Sequence, residues 1–315
     1  MSQAAIGAPE RRLTKGYAIA LIATTVWSTT GIFIRYLTER YRMPPLVLAF
    51  WRDFFVALGI GAVLAIVAPR MLRIERRHWP FLLLYGSILA VFNSLWTVAV
   101  ALDGAAVATV LVYNSVAFTA VLAWRIFGER LGGVKITAVL LSLGGCVLVA
   151  AAYDPAVWRL NPLGLTVGLI AGAAFALYSI MGRAAARRNI PPWSTMFCIF
   201  LCAAGFLLAF QAVPALFGFG ASPQLLWLGA SPAGWGILVA LALGPTAGGY
   251  GLYTVSLTYL PASIANLIAT LEPAMTAVLA YFLLGERLTL IQIVGSALIL
   301  LGVVLLRIRA EQNAA

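Results

Sequence analysis

A thirteen-residue segment that occurs twice constrains the fold of this chain more than any other feature. The segment at 119–131 reads TAVLAWRIFGERL and returns at 276–288 as TAVLAYFLLGERL, with nine of thirteen positions identical. A self-match at a fixed offset indicates an internally repeated architecture. In both copies an apolar helix is expected to end at Gly-Glu-Arg, where the chain leaves a membrane for water. The chain is therefore predicted to consist of two related halves.

Composition places both halves in a lipid bilayer. Of the 315 residues, 63% are hydrophobic and 10% are charged, whereas ordinary soluble proteins carry about 25% charged residues. The net charge of +11 comes from short Lys and Arg runs between apolar segments, without the aromatic and basic motifs typical of nucleic-acid binding. The three cysteines lie in apolar segments at no metal-ligand spacing. We predict a membrane protein with no nucleic-acid partner, metal site or cofactor.

Ten apolar windows are long enough to cross a bilayer as helices. Because each half has five, an odd number, the second half must enter the membrane from the opposite side. This gives an all-α integral membrane fold of ten transmembrane helices in two inverted five-helix repeats, an arrangement found in secondary transporters. The repeats are expected at 16–152 and 162–307, with cytoplasmic tails at 1–15 and 308–315. The windows are 16–37, 46–67, 79–101, 104–126, 133–152, 162–182, 193–213, 234–257, 261–284 and 289–307.

The distribution of basic residues predicts the orientation of the spans. If the N-terminus is inside, fifteen of the 21 Lys and Arg residues fall in inside segments and five in outside loops. Loops on the cytoplasmic side of a membrane carry an excess of Lys and Arg. We therefore expect a multi-pass protein of the cell (inner or plasma) membrane with both termini in the cytoplasm.

Two short motifs carry a family resemblance. A Leu-Glu-Pro sequence at 271–273 lies inside the ninth span, and Leu-Gly-Glu-Arg-Leu follows at 284–288, in register with the repeat. Together with ten inverted spans, this resembles the EamA-type transporters of the drug/metabolite transporter superfamily, over about 16–307. The resemblance implies a ten-helix transporter with a central cavity that typically exports metabolites, amino acids or xenobiotics. The first half departs from the family pattern, since Asn-Ser-Val at 114–116 stands where proline often follows the polar residue.

Glu272 is the clearest functional candidate. It lies near the middle of the ninth span, where an ionisable residue is costly and by default a candidate for function. Pro273 cannot donate a backbone hydrogen bond to Ala269, so the helix is expected to kink there. Interrupted helices at this depth hold substrates or ions in transporters. Two interpretations stay open: Glu272 exchanges a proton, or it bonds to a neighbouring helix and fixes the kink.

Polar and aromatic side chains recur at matched positions of the two halves. In span nine, Ser263, Asn266 and Thr270 form one stripe at 100° per residue, whereas Glu272 points nearly the opposite way. The stripe has a counterpart in span four, so it is favoured over Glu272 as cavity lining. Helix packing alone also explains each aromatic residue taken singly. The expected substrate-cavity residues are Trp27, Ser28, Asn93, Trp96, Thr109, Tyr113, Phe175, Tyr178, Tyr250, Tyr253, Asn266 and Thr270.

Several other residues have structural explanations. Arg52 and Asp53, adjacent in span two, are expected to form an ion pair or gate with partners on other helices, and capture of a substrate carboxylate by Arg52 is the alternative. Glu129 and Glu286 belong to turns that end helices at an interface. The glycines of spans five and ten suit close helix packing or self-association, so a homodimer stays open. They are Gly144, Gly145, Gly295 and Gly302.

Missing motifs narrow the function. The chain has no Gly-x-x-x-x-Gly-Lys sequence, so no nucleotide partner is expected, and it has no nucleophile and base near a span end, so no catalytic residue is predicted. We predict a secondary transporter that moves a small metabolite, amino acid or drug-like solute by alternating access. Export follows from the resemblance, and proton coupling through Glu272 is a hypothesis. The alternatives are an integral-membrane lipid-modifying enzyme and a non-transporting membrane subunit.

Overall fold

The computed structural model describes residues 3–129, 131–149, 151, 153–156, 162–216, 224–275, 278 and 289–312. All regular secondary structure in these residues is helical, which confirms the prediction of an all-α protein. Seven helical segments among them are long and apolar enough to cross a membrane. These are Leu13–Arg40, Pro45–Val67, Arg76–Leu102, Ala108–Phe127, Pro162–Arg187, Pro192–Ala212 and Pro232–Tyr259, with shorter apolar helices at Gly133–Val149 and Leu290–Leu305. The outer part of the predicted ninth span and the second Gly-Glu-Arg turn lie outside the described residues.

The helices are numbered here in chain order. They are α1 Gln3–Trp27, α2 Thr30–Arg40, α3 Pro45–Val67, α4 Trp79–Val112, α5 Ser115–Phe127, α6 Gly133–Val149, α7 Pro162–Arg187, α8 Pro192–Leu216, α9 Pro232–Leu241, α10 Ala247–Tyr259, α11 Ala262–Ala269 and α12 Leu290–Gln312. A π-helical turn at Ala242–Thr246 joins α9 to α10 and contains Pro245. Because α1 begins at Gln3, most of the predicted N-terminal tail is helical and continuous with the first span.

The long helix α4 contains two arms that run in opposite directions along α7. Near its start, α4 contacts progressively earlier residues of α7: the ring pairs are Tyr85 with Tyr178 and Phe92 with Phe175. At its end the order is reversed: the contacts are Leu111 with Gly168 and Val112 with Gly172. The chain therefore changes direction between Phe92 and Leu111. The two arms correspond to the windows predicted as spans three and four.

Helices from the first half pack mainly on helices from the second. The first arm of α4 packs on α7, and α1 packs on α10. In addition, α3 packs on α8, α5 on α11, and α6 on α12. The two halves are therefore interleaved, and a site in the middle of the molecule receives side chains from both.

Small residues allow the close approach of α6 and α12. A Cβ atom on Gly145 would lie 2.5 Å from the carbonyl oxygen of Gly295, and one on Gly302 would lie 2.8 Å from that of Ala138. Close backbone contact through glycine is typical of helix pairs in membranes. These three glycines therefore serve a contact within one chain, whereas a Cβ atom on Gly144 would meet nothing within 4 Å.

Within the residues that the structure describes, three spans are interrupted near their middle. The breaks lie at 28–29 between α1 and α2, at 113–114 between α4 and α5, and at 270–271 after α11. Spans four and nine break at the same position of the repeat, although Val116 stands where the second half has Pro273. In the first half, the side-chain amide of Asn114 donates instead to the carbonyl oxygen of Leu169 on α7, at 3.2 Å.

The two ends of the molecule differ in chemistry. The end where α5 stops and α11 starts, called the Glu129 face, carries cationic side chains placed over aromatic rings. The pairs are Lys15 over Tyr259, Arg187 over Phe127 and Arg188 over Phe81, at 5.4, 4.4 and 4.2 Å from the ring centroids. At the opposite end, called the Tyr41 face, two indole N–H groups donate hydrogen bonds to backbone carbonyl oxygens. Trp51 donates to the carbonyl oxygen of Leu225 at 2.7 Å, and Trp227 donates to that of Tyr41 at 2.9 Å.

Candidate functional site

A cavity lies between the two halves, in the middle of the helices. Its wall consists largely of aromatic rings, with a few hydroxyl groups and a carboxyl group. A concave, mostly apolar pocket with a few converging polar groups is the usual form of a small-molecule site. The wall residues are Trp27, Thr30, Phe92, Trp96, Thr109, Val112, Tyr113, Phe175, Tyr250 and Glu272.

The aromatic wall is held by ring-to-ring packing around Trp27. Its indole makes edge contacts with Tyr250, at a centroid distance of 4.6 Å, and with Phe175, at 5.7 Å. Phe175 in turn stacks on Phe92 at 5.0 Å. Gly249 is required beneath Trp27, because a Cβ atom there would lie 2.7 Å from the indole. The wall is therefore pre-formed from α1, α4, α7 and α10.

Glu272 faces the cavity and bonds across the two halves. Its carboxylate oxygen accepts a hydrogen bond from the Tyr113 hydroxyl at 2.5 Å. The sequence favoured the stripe of Asn266 and Thr270 over Glu272 as cavity lining, assuming one continuous helix. Because the helix is interrupted at 270–271, the 100° rotation per residue does not extend across the break. Glu272 is therefore turned into the wall while Thr270 bonds to its own helix, at Leu267.

Arg52 and Asp53 are fully buried beside the cavity. The Arg52 Nε atom lies 3.5 Å from an Asp53 oxygen, and the Asn93 side-chain amide donates to both Asp53 oxygens at 2.8 and 2.9 Å. The Asn93 oxygen accepts from the Tyr250 hydroxyl at 3.1 Å. Arg52 also lies 6.0 Å from the ring centroid of Trp96, near the limit for a cation–π contact. The pair is thus connected to two wall residues, Trp96 and Tyr250.

A layer of buried polar side chains, called the closing layer, separates the cavity from the Glu129 face. The layer consists of Ser115, Tyr178, Ser179, Tyr253, Thr254 and Asn266. Asn266 accepts from Ser115 and donates to Ser179, both at 3.1 Å, and the Ser179 and Tyr253 hydroxyls are 2.7 Å apart. The Tyr178 and Thr254 hydroxyls are 3.2 Å apart. The cavity therefore lies between this layer and the Tyr41 face.

A second contact between the halves lies at the Glu129 face, beyond the closing layer. One Glu129 oxygen accepts from Lys135 Nζ at 2.9 Å and also from the Ser263 hydroxyl at the start of α11. Gly128 adopts a left-handed φ of 69° and ends α5 directly before Glu129. The first Gly-Glu-Arg turn thus ends a helix, as expected, and also joins the halves. We call Glu129, Lys135 and Ser263 the latch.

The structure divides the twelve expected cavity residues into two groups. Those in the wall are Trp27, Trp96, Thr109, Tyr113, Phe175 and Tyr250. Those buried beside it are Ser28, Asn93, Tyr178, Tyr253, Asn266 and Thr270. Three wall residues were missed. Thr30 follows Trp27 by three residues and was detectable by that spacing, whereas Phe92 and Val112 are apolar and carry no signal in the sequence.

Metal ligands do not come together in the described part of the chain. Within it, no group of three or more His, Cys, Asp or Glu side chains is arranged to hold a metal ion. The polar groups of the cavity wall include the hydroxyls of Thr30 and Tyr113 and the carboxyl group of Glu272, and the Arg52 and Asp53 pair is buried beside it.

Comparisons with known proteins agree with this architecture. The sequence profile of the EamA-like transporter family matches residues 14–151 and again residues 162–308. The uncharacterised transporter YwfM of Bacillus subtilis is 30% identical over 287 residues, covering 91% of each chain. The threonine/homoserine exporter RhtA of Salmonella typhimurium (strain LT2) is 31% identical over 243 residues, 76% of this chain and 75% of RhtA. A solved crystal structure shares the fold, with a TM-score of 0.74 at 18% identity over 96% of this chain and 99% of the other.

Proposed function

We propose, from the premise that this chain belongs to the EamA-like transporter family, that it is a secondary transporter working by alternating access. It is a multi-pass membrane transporter rather than an enzyme, as its relatives are. The observation that carries the proposal is the cavity between the halves, whose wall takes side chains from both. A site at the interface of two repeats can be exposed to either side when the repeats move against each other.

The proposed architecture has ten transmembrane helices in two inverted five-helix halves. Three packing pairs join corresponding spans: α3 with α8, α5 with α11, and α6 with α12. Two further pairs are α1 with α10 and α7 with the first arm of α4. Exchanging the two halves converts one of these pairs into the other. This reciprocity is what an approximate twofold axis in the membrane plane would produce, and it supports the inverted repeat.

We place the Glu129 face in the cytoplasm, together with both termini. Lys15, Arg187 and Arg188 lie at this face, in agreement with the excess of basic residues in inside segments. The closing layer and the latch lie between the cavity and the Glu129 face. In this proposal the structure represents the outward-facing state, closed toward the cytoplasm.

The wall favours a small solute with an amino group and an apolar part. Aromatic faces and a carboxyl group attract a cation, and here Trp27 and Tyr250 lie in the same wall as Glu272. The name of the relative RhtA, a threonine/homoserine exporter, supports an amino acid as solute and export as direction. In this proposal, the solute ammonium group approaches Glu272 while its apolar part packs on the rings.

Proton coupling is proposed through the same carboxyl group. Glu272 is the acidic residue of the wall, so a proton and a solute ammonium group would compete for it. Binding of one would then release the other, which is the basis of exchange across a membrane. The Tyr113 hydroxyl donates to the carboxylate of Glu272, so protonation would remove the charge and weaken this contact between the halves.

A flux assay tests the proposed function. Purified protein in liposomes is expected to give saturable uptake of at least one solute from a panel of amino acids, aromatic amines and organic cations. Replacement of Trp27 by Ala is expected to reduce that uptake, because the indole supports the rings of Phe175 and Tyr250. Fluxes equal to those of protein-free liposomes for the whole panel would contradict the proposal.

A further inference from the structure

We propose that the closing layer is the solute-binding wall of the opposite, inward-facing state. This inference rests on the proposed transport function and names a second set of binding residues for it. In the present structure its members Tyr253 and Asn266 are almost completely buried and do not line the cavity, and the same holds for Thr270, one turn further along the chain. In the inward-facing state they would contact the same small, amino-containing solute from the cytoplasmic side.

The repeat relates these residues to the present cavity wall. At the offset of 157 residues that aligns the two Gly-Glu-Arg turns, three pairs match: Trp96 with Tyr253, Thr109 with Asn266, and Tyr113 with Thr270. In these three pairs, the first-half member lines the cavity and the second-half member is buried beside it. In two further pairs at the same offset the arrangement is reversed: Tyr250 and Glu272 line the cavity, whereas their counterparts Asn93 and Ser115 are buried. If two inverted halves exchange conformations, the members of each pair exchange environments. The buried members then become the wall of a cavity open to the other side.

One matched pair is expected to stay in the cavity wall in both states. Trp27 and Phe175 correspond at the shorter offset of 148 residues, and both line the cavity. Matched residues that both line the cavity would contact the solute in both states. Matched residues of spans three, four, eight and nine would each contact the solute in one state only. The cavity is therefore lined unequally by the halves because the structure represents one of two states.

The chemistry of the closing layer suits a surface that opens. A layer that only closed the core could consist of apolar side chains, whereas buried polar groups stay favourable only when paired. Here the hydroxyls of Ser115, Ser179 and Tyr253 pair with each other or with Asn266. Hydroxyls and amides both donate and accept, so a solute or water can replace each partner when the halves separate.

The latch explains why this layer is closed here. Glu129 binds Ser263 across the halves and is held by Lys135. Their counterparts at the other end are Glu286, Ala106 and Gln292. Ala106 has no hydroxyl group and Gln292 has no charge, so the same contact cannot form there. The latch thus favours closure on the Glu129 side, and its removal is expected to favour the inward-facing state.

Sidedness of cysteine labelling tests the proposal without a known solute. The three native cysteines, Cys146, Cys198 and Cys202, are replaced by Ala, and a single cysteine is placed at Asn266, Thr109 or Ser142. A membrane-impermeant maleimide is added to intact cells or to inverted vesicles. The latch is removed with Ser263→Ala, and Ser87→Ala is the control because it removes only a bond to its own helix, at Leu84.

The expected results separate the two states. Asn266→Cys should react only from the cytoplasmic side, and Ser263→Ala should raise its rate about tenfold, since a hydrogen bond to a charged group is lost. Thr109→Cys should react from the outside, and more slowly in the same background. Ser142→Cys, a buried polar position between α6 and α12, should stay unreactive, and Ser87→Ala should change none of these rates.

Two outcomes would overturn the proposal. One is labelling of Asn266→Cys from the outside. The other is a reactivity of Asn266→Cys that is as low as that of Ser142→Cys, both with the latch present and after its removal. If Asn266→Cys does not elute as a monodisperse protein, Tyr253→Cys takes its place under the same criteria. Absence of flux for every solute, combined with the expected labelling, would contradict the transport function but leave the two-state layer intact.

Discussion

Glu272 is the acidic residue among those that line the cavity. It adds a carboxyl group to a wall of rings and hydroxyls, and it bonds to Tyr113 on the other half. The sequence allowed two interpretations: Glu272 exchanges a proton, or it bonds to a neighbouring helix. Both involve its contact with Tyr113. A substitution that keeps the shape but removes the charge distinguishes them.

Glu272→Gln is expected to abolish the dependence of solute uptake on a pH gradient and to weaken uptake about tenfold, because a charge-assisted contact is lost. The amide keeps the size of the side chain and can still accept from Tyr113, so folding should be retained. Uptake into liposomes with and without an imposed gradient measures both effects. Tyr113→Phe is the control, since it removes the bond but keeps the carboxyl group. Equal gradient dependence of native protein and Glu272→Gln would refute proton coupling through this residue.

Asn93→Leu is expected to lower the free energy of unfolding by about 2 kcal/mol, because buried Asp53 loses both hydrogen bonds from the amide. The measurement is thermal unfolding of the purified protein in detergent. Tyr250→Phe is the matched variant: it removes one bond between neutral groups and should cost about 1 kcal/mol. A smaller loss for Asn93→Leu than for Tyr250→Phe would show that Asp53 does not depend on Asn93.

At the scale of elements, helix breaks and helix contacts have different causes in the two halves. Span nine is interrupted next to Pro273, whereas span four is interrupted where Asn114 bonds to the backbone of α7. The contact between α6 and α12 depends instead on missing side chains, since Gly145 leaves room for the backbone at Gly295. Neighbouring glycines of α6 therefore offer a test of packing with a built-in control.

Gly145→Ala is expected to destabilise the protein by about 1–3 kcal/mol, because its Cβ atom would meet the carbonyl oxygen of Gly295 at 2.5 Å. Gly144→Ala adds the same methyl group to the adjacent position, where nothing lies within 4 Å. It should be neutral or stabilise by up to about 1 kcal/mol, from helix propensity. Thermal unfolding in detergent compares the two, and equal effects would exclude backbone contact as the reason for Gly145.

At the scale of the whole molecule, the cavity is closed on one side by two successive contacts between the halves. The closing layer joins Ser115 to Asn266, and the latch joins Glu129 to Ser263. Both lie between the cavity and the face that we assign to the cytoplasm. Inverted topology is the condition for this assignment, because it places the two Gly-Glu-Arg turns on opposite sides of the membrane.

Single cysteines at Arg130 and Arg287 are expected to react with an impermeant reagent from opposite sides. Arg130→Cys should be labelled in inverted vesicles and Arg287→Cys in intact cells, because five spans per half invert the second copy. The native cysteines are replaced in both variants, and permeabilised cells show that each position can react. Labelling of both positions from a single side would contradict the inverted repeat and, with it, the proposed exchange of cavity walls.

The sequence by itself determined the membrane class, the repeated halves and most of the side chains around the cavity. These follow from local properties: the length of apolar windows, the near copy at 119–131 and 276–288, and polar residues such as Asn93 and Glu272 inside apolar spans. Each of these signals lies within one helix or within a self-comparison of the chain. They could therefore be recognised without knowing which helices are neighbours.

Only the tertiary structure decided which of these side chains face the cavity and which close it. Glu272 enters the wall because the helix breaks at 270–271, where helical periodicity no longer predicts direction. Asp53 and Glu129 find their partners at Asn93 and Ser263, 40 and 134 residues away along the chain. Such pairings depend on how two halves pack in one conformation, and no spacing within a single span encodes them.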